Sequence, residues 1–312
     1  MGYLTFCGIF DSILAYPLRI AVNFMDRAKW KLMGAMGIFG TIGIFVRYIP
    51  LSSAAVAFFR GVLGVVFLLG VMLVGKKRFD GAAIRRNLLI LCVSGAAIGL
   101  NWIALFESYR YTTVATATVC YYLAPVFLLL ASPLLGEKLT AKKLGCVAVA
   151  LVGLVFVSGM MEGGIPALSE LKGIALGIVA ALLYASVMLL NKKLSPIPAY
   201  DKTILQLGAA AAVIQPYLLF TGGLSLMGLN WPQLLLLLVV GIVHTGVAYA
   251  LYFGSMKDLK AQTIAIFSYL DPVIAVILSA VLLREKLGLW GIAGAILILG
   301  SALYSELPER KK

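Results

Sequence analysis

Apolar residues run along this chain in long blocks, and short polar clusters separate one block from the next. An apolar block of about 20 residues can cross the hydrocarbon core of a bilayer as a helix, because helical hydrogen bonding satisfies its backbone without water. The blocks predict ten such helices, at residues 32–48, 52–75, 87–108, 114–135, 143–160, 173–191, 203–222, 234–255, 262–283 and 288–305. The predicted fold class is an all-α polytopic membrane protein with ten transmembrane helices.

Composition agrees with a surface that faces lipid. Hydrophobic residues make up 62% of the 312 residues and charged residues 12%, whereas a soluble domain carries about 25% charged residues. The net charge of +13 does not indicate nucleic-acid binding, because Lys and Arg lie in short loops between apolar blocks and form no contiguous phosphate-binding face.

The basic residues also predict how the chain is oriented. If the first helix starts inside the cell, the inner segments hold 20 Lys and Arg and the outer segments hold five, with Arg60 inside the second helix. Short cytoplasmic loops are enriched in Lys and Arg. We therefore expect a multi-pass protein of the cell membrane with both termini in the cytoplasm.

The chain ends lie outside the predicted helices. Residues 1–28 form an apolar N-terminal extension interrupted by Asp11, Pro17 and Arg19, without the basic start of a signal peptide. It is expected to be an interfacial segment or, alternatively, an upstream-start artefact before a native chain that begins at Met25. Residues 307–312 form a basic cytoplasmic tail.

An internal repeat divides the rest into two halves of five helices, residues 29–160 and 170–306. A shift of 147 residues places Tyr-Leu-Ala-Pro-Val at 122–126 on Tyr-Leu-Asp-Pro-Val at 269–273. The same comparison brings Glu-Lys-Leu at 137–139 near its copy at 285–287, with one inserted residue. Because five helices reverse the side of the membrane, the second half must be inverted relative to the first. Inverted repeats with a midplane site are typical of secondary transporters.

These motifs resemble those of the EamA family of the drug/metabolite transporter superfamily. The similarity rests on Tyr-Leu-x-Pro-Val, on Gly136-Glu137-Lys138-Leu139-Thr140 and on its echo at 284–287, and it covers about residues 30–305. The resemblance implies two five-helix EamA repeats, transmembrane transport of amino acids or other small metabolites, commonly export, and no ATP.

Charged and titratable residues inside the predicted helices are candidates for function, because they are costly in a bilayer. Arg60 is either a structural arginine or a ligand for a substrate carboxylate. Asp271 precedes Pro272, which frees a helix carbonyl, and it is a candidate for both substrate binding and proton coupling. Glu107 and the single histidine, His244, are further candidates for proton coupling, since histidine exchanges protons near neutral pH.

Aromatic and amide side chains form the second group of candidates. They lie in helices that line the cavity if the family arrangement holds, and they suit an amphipathic solute with an amine or aromatic part. The substrate-binding candidates are Arg60, Asn101, Trp102, Tyr122, Tyr184, Tyr249, Tyr269 and Asp271. Helix packing or an interfacial belt explains any single aromatic equally well. Tyr122 and Tyr269 are the preferred pair, because repeat-related positions beside paired prolines should face one central space.

The sequence lacks the motifs of nucleotide-binding and metal-dependent enzymes, such as GxxxxGK[ST], HExxH and GxSxG. We therefore expect a non-enzyme without cofactor or metal, in which the partners are a small-molecule substrate and the lipid bilayer, with no ATP-binding subunit and a functional monomer. The alternative is a membrane-embedded enzyme that acts on lipid-linked substrates. A receptor is disfavoured by the short loops, and a channel by the paired prolines.

Overall fold

A computed structural model describes residues 27–306 apart from short gaps at 132, 134–139, 158–160, 162–166, 224–225, 227, 257–258, 260–266 and 287. The predicted N-terminal extension up to residue 26, the first Glu-Lys-Leu segment and the basic tail lie outside the described residues.

Regular secondary structure in the described part of the chain is helical throughout. The helices are α1 (Arg27–Arg47), α2 (Ser53–Val74), α3 (Gly81–Tyr111), α4 (Val114–Tyr121), α5 (Ala124–Leu130), α6 (Ala141–Val157), α7 (Leu168–Lys192), α8 (Ala199–Thr221), α9 (Trp231–Gly241), a π-helical segment (Ile242–Val247, the π turn), α10 (Ala248–Met256), α11 (Leu270–Leu282) and α12 (Leu289–Glu306). The all-α fold class that the sequence predicts is confirmed for the described residues.

Six helical stretches are long and apolar enough to cross a membrane: α1, α2, α3, α7, α8 and the continuous stretch Trp231–Tyr252. Four shorter apolar stretches, at Val114–Leu130, Leu144–Val157, Leu270–Leu282 and Leu289–Tyr304, fall within the other four predicted spans. The apolar blocks of the sequence therefore correspond in order to the apolar helices of the structure.

Polar side chains fix several helix starts. Oxygens of Ser52, Asp80, Thr113 and Asn230 accept hydrogen bonds from backbone N–H groups three residues further along, at α2, α3, α4 and α9. A free N–H at a helix end needs such a partner, especially where water is scarce. These caps explain why the helices begin immediately after short polar connections.

The two repeat-related prolines lie at the start of a new helix. The predicted continuous span 114–135 is split into α4 and α5 by a turn at Tyr122 and Leu123, and Pro125 lies in the first turn of α5. Tyr269 likewise lies in a turn, directly before α11 with Pro272. Proline lacks an N–H and is favoured in the first turn of a helix, where that N–H would have no partner within the helix. Tyr122 and Tyr269 consequently have the same position next to a helix break.

Helix packing repeats itself when the two halves are exchanged. The contact of α3 with α7 has its counterpart in that of α1 with α10, and the contact of α1 with α11 in that of α7 with α4 and α5. The packing of α2 on α9 and the π turn corresponds to that of α8 on α3. The pairs α2–α8, α4–α11 and α6–α12 join equivalent helices. The halves thus pack around a common pseudo-two-fold axis.

Candidate functional site

A hydrogen bond joins the two halves beside the paired prolines. The Tyr122 hydroxyl donates to Oδ2 of Asp271 at 2.7 Å, and it lies 3.4 Å from the Ser268 carbonyl oxygen. The ring centroids of Tyr122 and Tyr269 are 6.2 Å apart. The structure therefore brings together three of the predicted site residues at the α4–α11 contact, where each half has a break between helices.

Close backbone packing holds this contact in place. A Cβ at Gly40 of α1 would lie 2.7 Å from the Asp271 carbonyl oxygen and 2.9 Å from Ile274 Cβ. Only glycine allows α1 to approach the first turn of α11 this closely. The Asp271 side chain is consequently placed by packing of its own backbone against α1.

Aromatic rings continue from this point. Tyr121 lies against Tyr122 in an edge-on arrangement with centroids 5.8 Å apart, and against Tyr184 of α7 at 5.4 Å. Tyr249 of α10 packs on Phe39 of α1 at 5.3 Å. Tyr184 is 38% exposed, so it lies at the edge of the group. These rings offer both π faces and hydroxyl groups to a bound solute.

Arg60 is buried in the middle of α2, with 5% of its surface exposed. Its Nε donates to Oγ1 of Thr245 at 2.7 Å, and its Cζ lies 4.1 Å from the ring centroid of Trp102 and 5.7 Å from that of Phe106. The guanidinium is therefore held by a hydroxyl and an aromatic face, and its charge is not matched by direct contact with an acid among the described residues.

The π turn carries two of the side chains around Arg60. Thr245 Oγ1 donates to the Val240 carbonyl at 3.1 Å, and His244 Nδ1 lies 3.3 Å from the Val239 carbonyl oxygen, each five residues back. A π turn widens the helix by one residue and weakens its regular hydrogen-bond ladder, and such turns occur frequently at functional sites. Side chains here take over part of the hydrogen bonding of the widened turn.

His244 is buried against α1. Its Nε2 lies 2.7 Å from the Thr41 hydroxyl, which itself donates to the Ile38 carbonyl at 2.8 Å, and its ring packs 4.8 Å from that of Phe45. The histidine is next in sequence to the threonine that holds Arg60, while Asp271 lies at the α4–α11 contact. Of the three candidates for proton coupling, His244 thus lies next to the Arg60 region, and Asp271 lies beside Tyr122.

Two predicted site residues lie elsewhere. Asn101 donates to the Ala180 carbonyl at 2.6 Å and so joins α3 to α7. Its side chain points away from that of Trp102, because successive residues of a helix point about 100° apart. Glu107 accepts a hydrogen bond from Ser53 at 2.6 Å and lies 3.7 Å from Arg110. Ser53 and Arg110 line a cavity of about 570 Å³ at the end of α3, away from the Tyr122–Asp271 contact.

Thr245 and Thr41 are not among the site residues that the sequence predicts. Threonine is common in membrane helices, and nothing in the local pattern distinguishes these two from the others. A second polar group, in which Gln206 donates to Ser94 and to Asn191 at 2.7 Å each, is not among them either. A spacing of five between Gly241 and Gly246 is the one sequence signal that could have indicated the π turn.

The fold and these contacts define a class of protein: a polytopic helical membrane protein of two repeats, with polar and aromatic groups collected where the repeats meet. The model of the EamA-like transporter family matches residues 28–159 and 171–305. The chain belongs to this family, and it is a membrane protein with transmembrane helices, as the sequence predicted.

Individual relatives agree with this assignment. An uncharacterized transporter of Bacillus subtilis (strain 168), YxxF, is 32% identical over 277 residues, which cover 88% of each chain. A probable amino-acid metabolite efflux pump of Salmonella typhimurium (strain LT2) is 31% identical over 181 residues, 54% of this chain and 58% of the relative. A solved crystal structure with 19% sequence identity superimposes with a TM-score of 0.62 over 89% of this chain and 96% of the other, and it supports the fold.

Proposed function

We propose that this protein is a secondary transporter that moves an amino acid or a related amphipathic solute across the cytoplasmic membrane, in the direction of export. The transport class follows from family membership, and the relative from Salmonella is named as a probable amino-acid metabolite efflux pump. In this proposal all ten apolar stretches cross the membrane, both termini are cytoplasmic, and a monomer is the functional unit.

Alternating access between two inverted repeats is the proposed mechanism. Helix contacts that recur when the halves are exchanged allow inward-open and outward-open states of similar energy, since each state uses the same contacts with the roles of the halves reversed. The helix breaks at Tyr122 and Tyr269 are the places where each half can bend.

The single observation that carries the proposed site is the hydrogen bond from Tyr122 to Asp271 at 2.7 Å. It joins equivalent helices of the two halves beside the paired prolines, so a solute that binds there contacts both halves at once. Asp271 offers a partner for an ammonium group and Arg60 one for a carboxylate. Trp102, Tyr184, Tyr249 and Tyr269 provide aromatic surface, while Asn101 contributes through the packing of α3.

Proton coupling is part of the proposal. Asp271 and His244 lie among the central helices and can exchange protons with the alternating cavity, whereas Glu107 lies beside Ser53 and Arg110. If Asp271→Asn, His244→Gln and Glu107→Gln combined leave transport driven by a pH gradient intact, proton coupling through these residues is excluded.

A thermal-stability screen of the detergent-purified protein against amino acids, amines, nucleosides and sugars tests the proposed function. A ligand at about 100 times its Kd should raise the free energy of unfolding by roughly 2.7 kcal/mol. Tyr122→Phe removes only the hydroxyl and should weaken binding of the ligand found in the screen. Tyr217→Phe on the exposed face of α8 is the matched control.

Each hit is then tested for uptake into proteoliposomes. Accumulation that Asp271→Asn abolishes and Tyr217→Phe leaves unchanged supports the proposal. If no solute of the panel binds, and lipid-linked substrates are chemically converted instead, the protein is a membrane-embedded enzyme and the proposal is wrong.

A further inference from the structure

Two repeat-related helices pack closely through glycine pairs whose spacing differs by one residue. In α3, Gly95 and Gly99 are four residues apart and both approach α8: Cβ atoms there would lie 2.5 Å from the Gln206 carbonyl oxygen and 3.0 Å from that of Ala210. The repeat-related helix has Gly241 and Gly246, five residues apart, and both approach α2. The second half therefore contains one extra residue between equivalent glycines.

The π turn accommodates this residue. In a regular α-helix, one inserted residue rotates everything beyond it by about 100°, and Gly246 would then leave the contact. The π turn spans Ile242–Val247 and absorbs the insertion, so Gly241 still faces Leu63 and Gly246 still faces Phe67. The insertion changes the side chains between the glycines without disturbing the helix contact.

Thr245 is the side chain that this arrangement directs at α2. A Cβ added to Gly64 would lie 2.5 Å from the methyl carbon of Thr245. The Thr245 hydroxyl accepts the hydrogen bond from Arg60 Nε at 2.7 Å. Thr245 is fully buried, and its own proton goes to the Val240 carbonyl. The hydroxyl therefore has one orientation, with its lone pair directed at Arg60.

This leaves one edge of the guanidinium for a ligand. Nε is bonded to Thr245, and Trp102 covers one face of the group. In the described part of the chain, no side chain or carbonyl accepts a hydrogen bond from the two terminal nitrogens of Arg60. A planar fork of this kind pairs with a carboxylate through two parallel hydrogen bonds.

We propose that Thr245 is a positioning residue that sets the specificity of the transporter for solutes with a free carboxylate. The π turn aims its hydroxyl at Nε, and this directs the terminal nitrogens of Arg60 toward the substrate. The inference rests on the proposed function and names the chemical group that the site selects.

The test compares acids with their esters. Binding of the L-amino acids other than aspartate and glutamate, and of their methyl esters, which lack the free carboxylate, is measured by thermal shift and titration on wild type, Thr245→Val and Thr245→Ser. Valine keeps the shape of threonine and lacks the acceptor, while serine restores the acceptor. Thr203→Val is the control, because Thr203 is buried in α8 and, among the described residues, its hydroxyl bonds to the Ala199 carbonyl alone.

We expect Thr245→Val to weaken binding of the amino acids by about tenfold or more, as for loss of a hydrogen bond to a charged group. Binding of the methyl esters should remain within about twofold, and Thr245→Ser should restore the selectivity. Thr203→Val should not change it. Arg60→Lys retains the charge but lacks the Nε edge, so it should show the same loss and replaces Thr245→Val if that variant does not fold.

The remaining outcomes overturn the inference. Equal weakening of acids and esters in Thr245→Val would mean that Thr245 only supports the fold. Affinities for acids and esters that both equal those of wild type would mean that Thr245 does not position Arg60. If amino acids bind to wild type in either case, the proposed function still stands. If no amino acid binds to wild type, the proposed function fails and this inference fails with it.

Discussion

The contact of α2 with the π turn and the contact of α8 with α3 are counterparts in the two halves, yet their polar chemistry differs. Both use glycines for close approach, and both bury a polar side chain of the incoming helix. At α8 this is Gln206, which donates to Ser94 and Asn191. At α2 it is Arg60, bonded to Thr245 and stacked on Trp102.

The difference shows how duplicated halves can divide their tasks. A neutral amide with two partners at 2.7 Å is satisfied within the protein and stabilises the helix contact. A guanidinium with one partner and an aromatic face keeps hydrogen-bonding capacity for a ligand, at a desolvation cost that the cation–π contact offsets in part. The contact that contains Arg60 is also the one that contains the extra residue of the π turn. We therefore expect changes at α3–α8 to affect stability and changes at α2–π turn to affect specificity.

Single-residue deletions in the two glycine-paired helices should produce the largest difference between the two contacts. Deleting Ala97 in the regular helix α3 rotates Trp102 and all later residues by about 100°, and we expect no folded protein. Deleting Val243 restores the four-residue glycine spacing, so the helix can continue as a regular α-helix. Its stability should stay within about 1 kcal/mol, a shift of roughly 2–4 °C in Tm.

Size-exclusion profiles and melting curves of the purified deletion variants measure these effects. The Val243 deletion should also lose selectivity for acids over esters, because Thr245 no longer faces Arg60. Equal damage from both deletions would show that the π turn is not an absorbed insertion.

Arg60→Gln makes the contact of α2 with the π turn resemble that of α8 with α3. Its effect should be the next largest after the deletions. Loss of a buried, doubly hydrogen-bonded charge pair typically costs about 2 kcal/mol or more, which is roughly 30-fold in Kd. We expect this loss for amino acids and little change for their methyl esters, as measured by titration. A variant that still prefers acids would contradict the assignment of Arg60 to the carboxylate.

Gln206→Leu should affect stability without affecting specificity. It removes both hydrogen bonds and leaves the half-buried Asn191 oxygen without this donor, for which we expect about 1–3 kcal/mol of destabilisation. Melting curves measure the loss, and the ratio of acid to ester binding should equal that of wild type. A changed ratio would mean that the two contacts are coupled through α2 and α8.

Glu107→Gln should have the smallest effect. The glutamine oxygen can still accept from Ser53, and the ion pair with Arg110 is partly exposed, so its loss should cost less than about 1 kcal/mol. Transport driven by a pH gradient should change less than in Asp271→Asn or His244→Gln. A larger change than in those two variants would make Glu107 the main residue for proton coupling.

The sequence placed Tyr122 and Tyr269 at equivalent positions, because a motif that recurs at a shift of 147 residues occupies equivalent places in equivalent halves. Their rings lie 6.2 Å apart, and solute binding by this pair stays a prediction. The sequence was not sufficient for Asn101 and Trp102, which are adjacent in sequence but contact α7 and Arg60, respectively. Helix phase relative to neighbouring helices separates them, and one sequence does not specify this phase.

Hydrophobic blocks, charge placement and the internal repeat by themselves determined that this is a helical membrane protein built from two halves. These features depend on the transfer of each segment from water to lipid, which is a local property of the chain. Only the tertiary structure decided that Arg60 is held by Thr245 and that His244 contacts Thr41, since these pairs are 185 and 203 residues apart. Their contact depends on how glycines let helices approach and on one inserted residue taken up as a π turn, and packing between distant segments settles both.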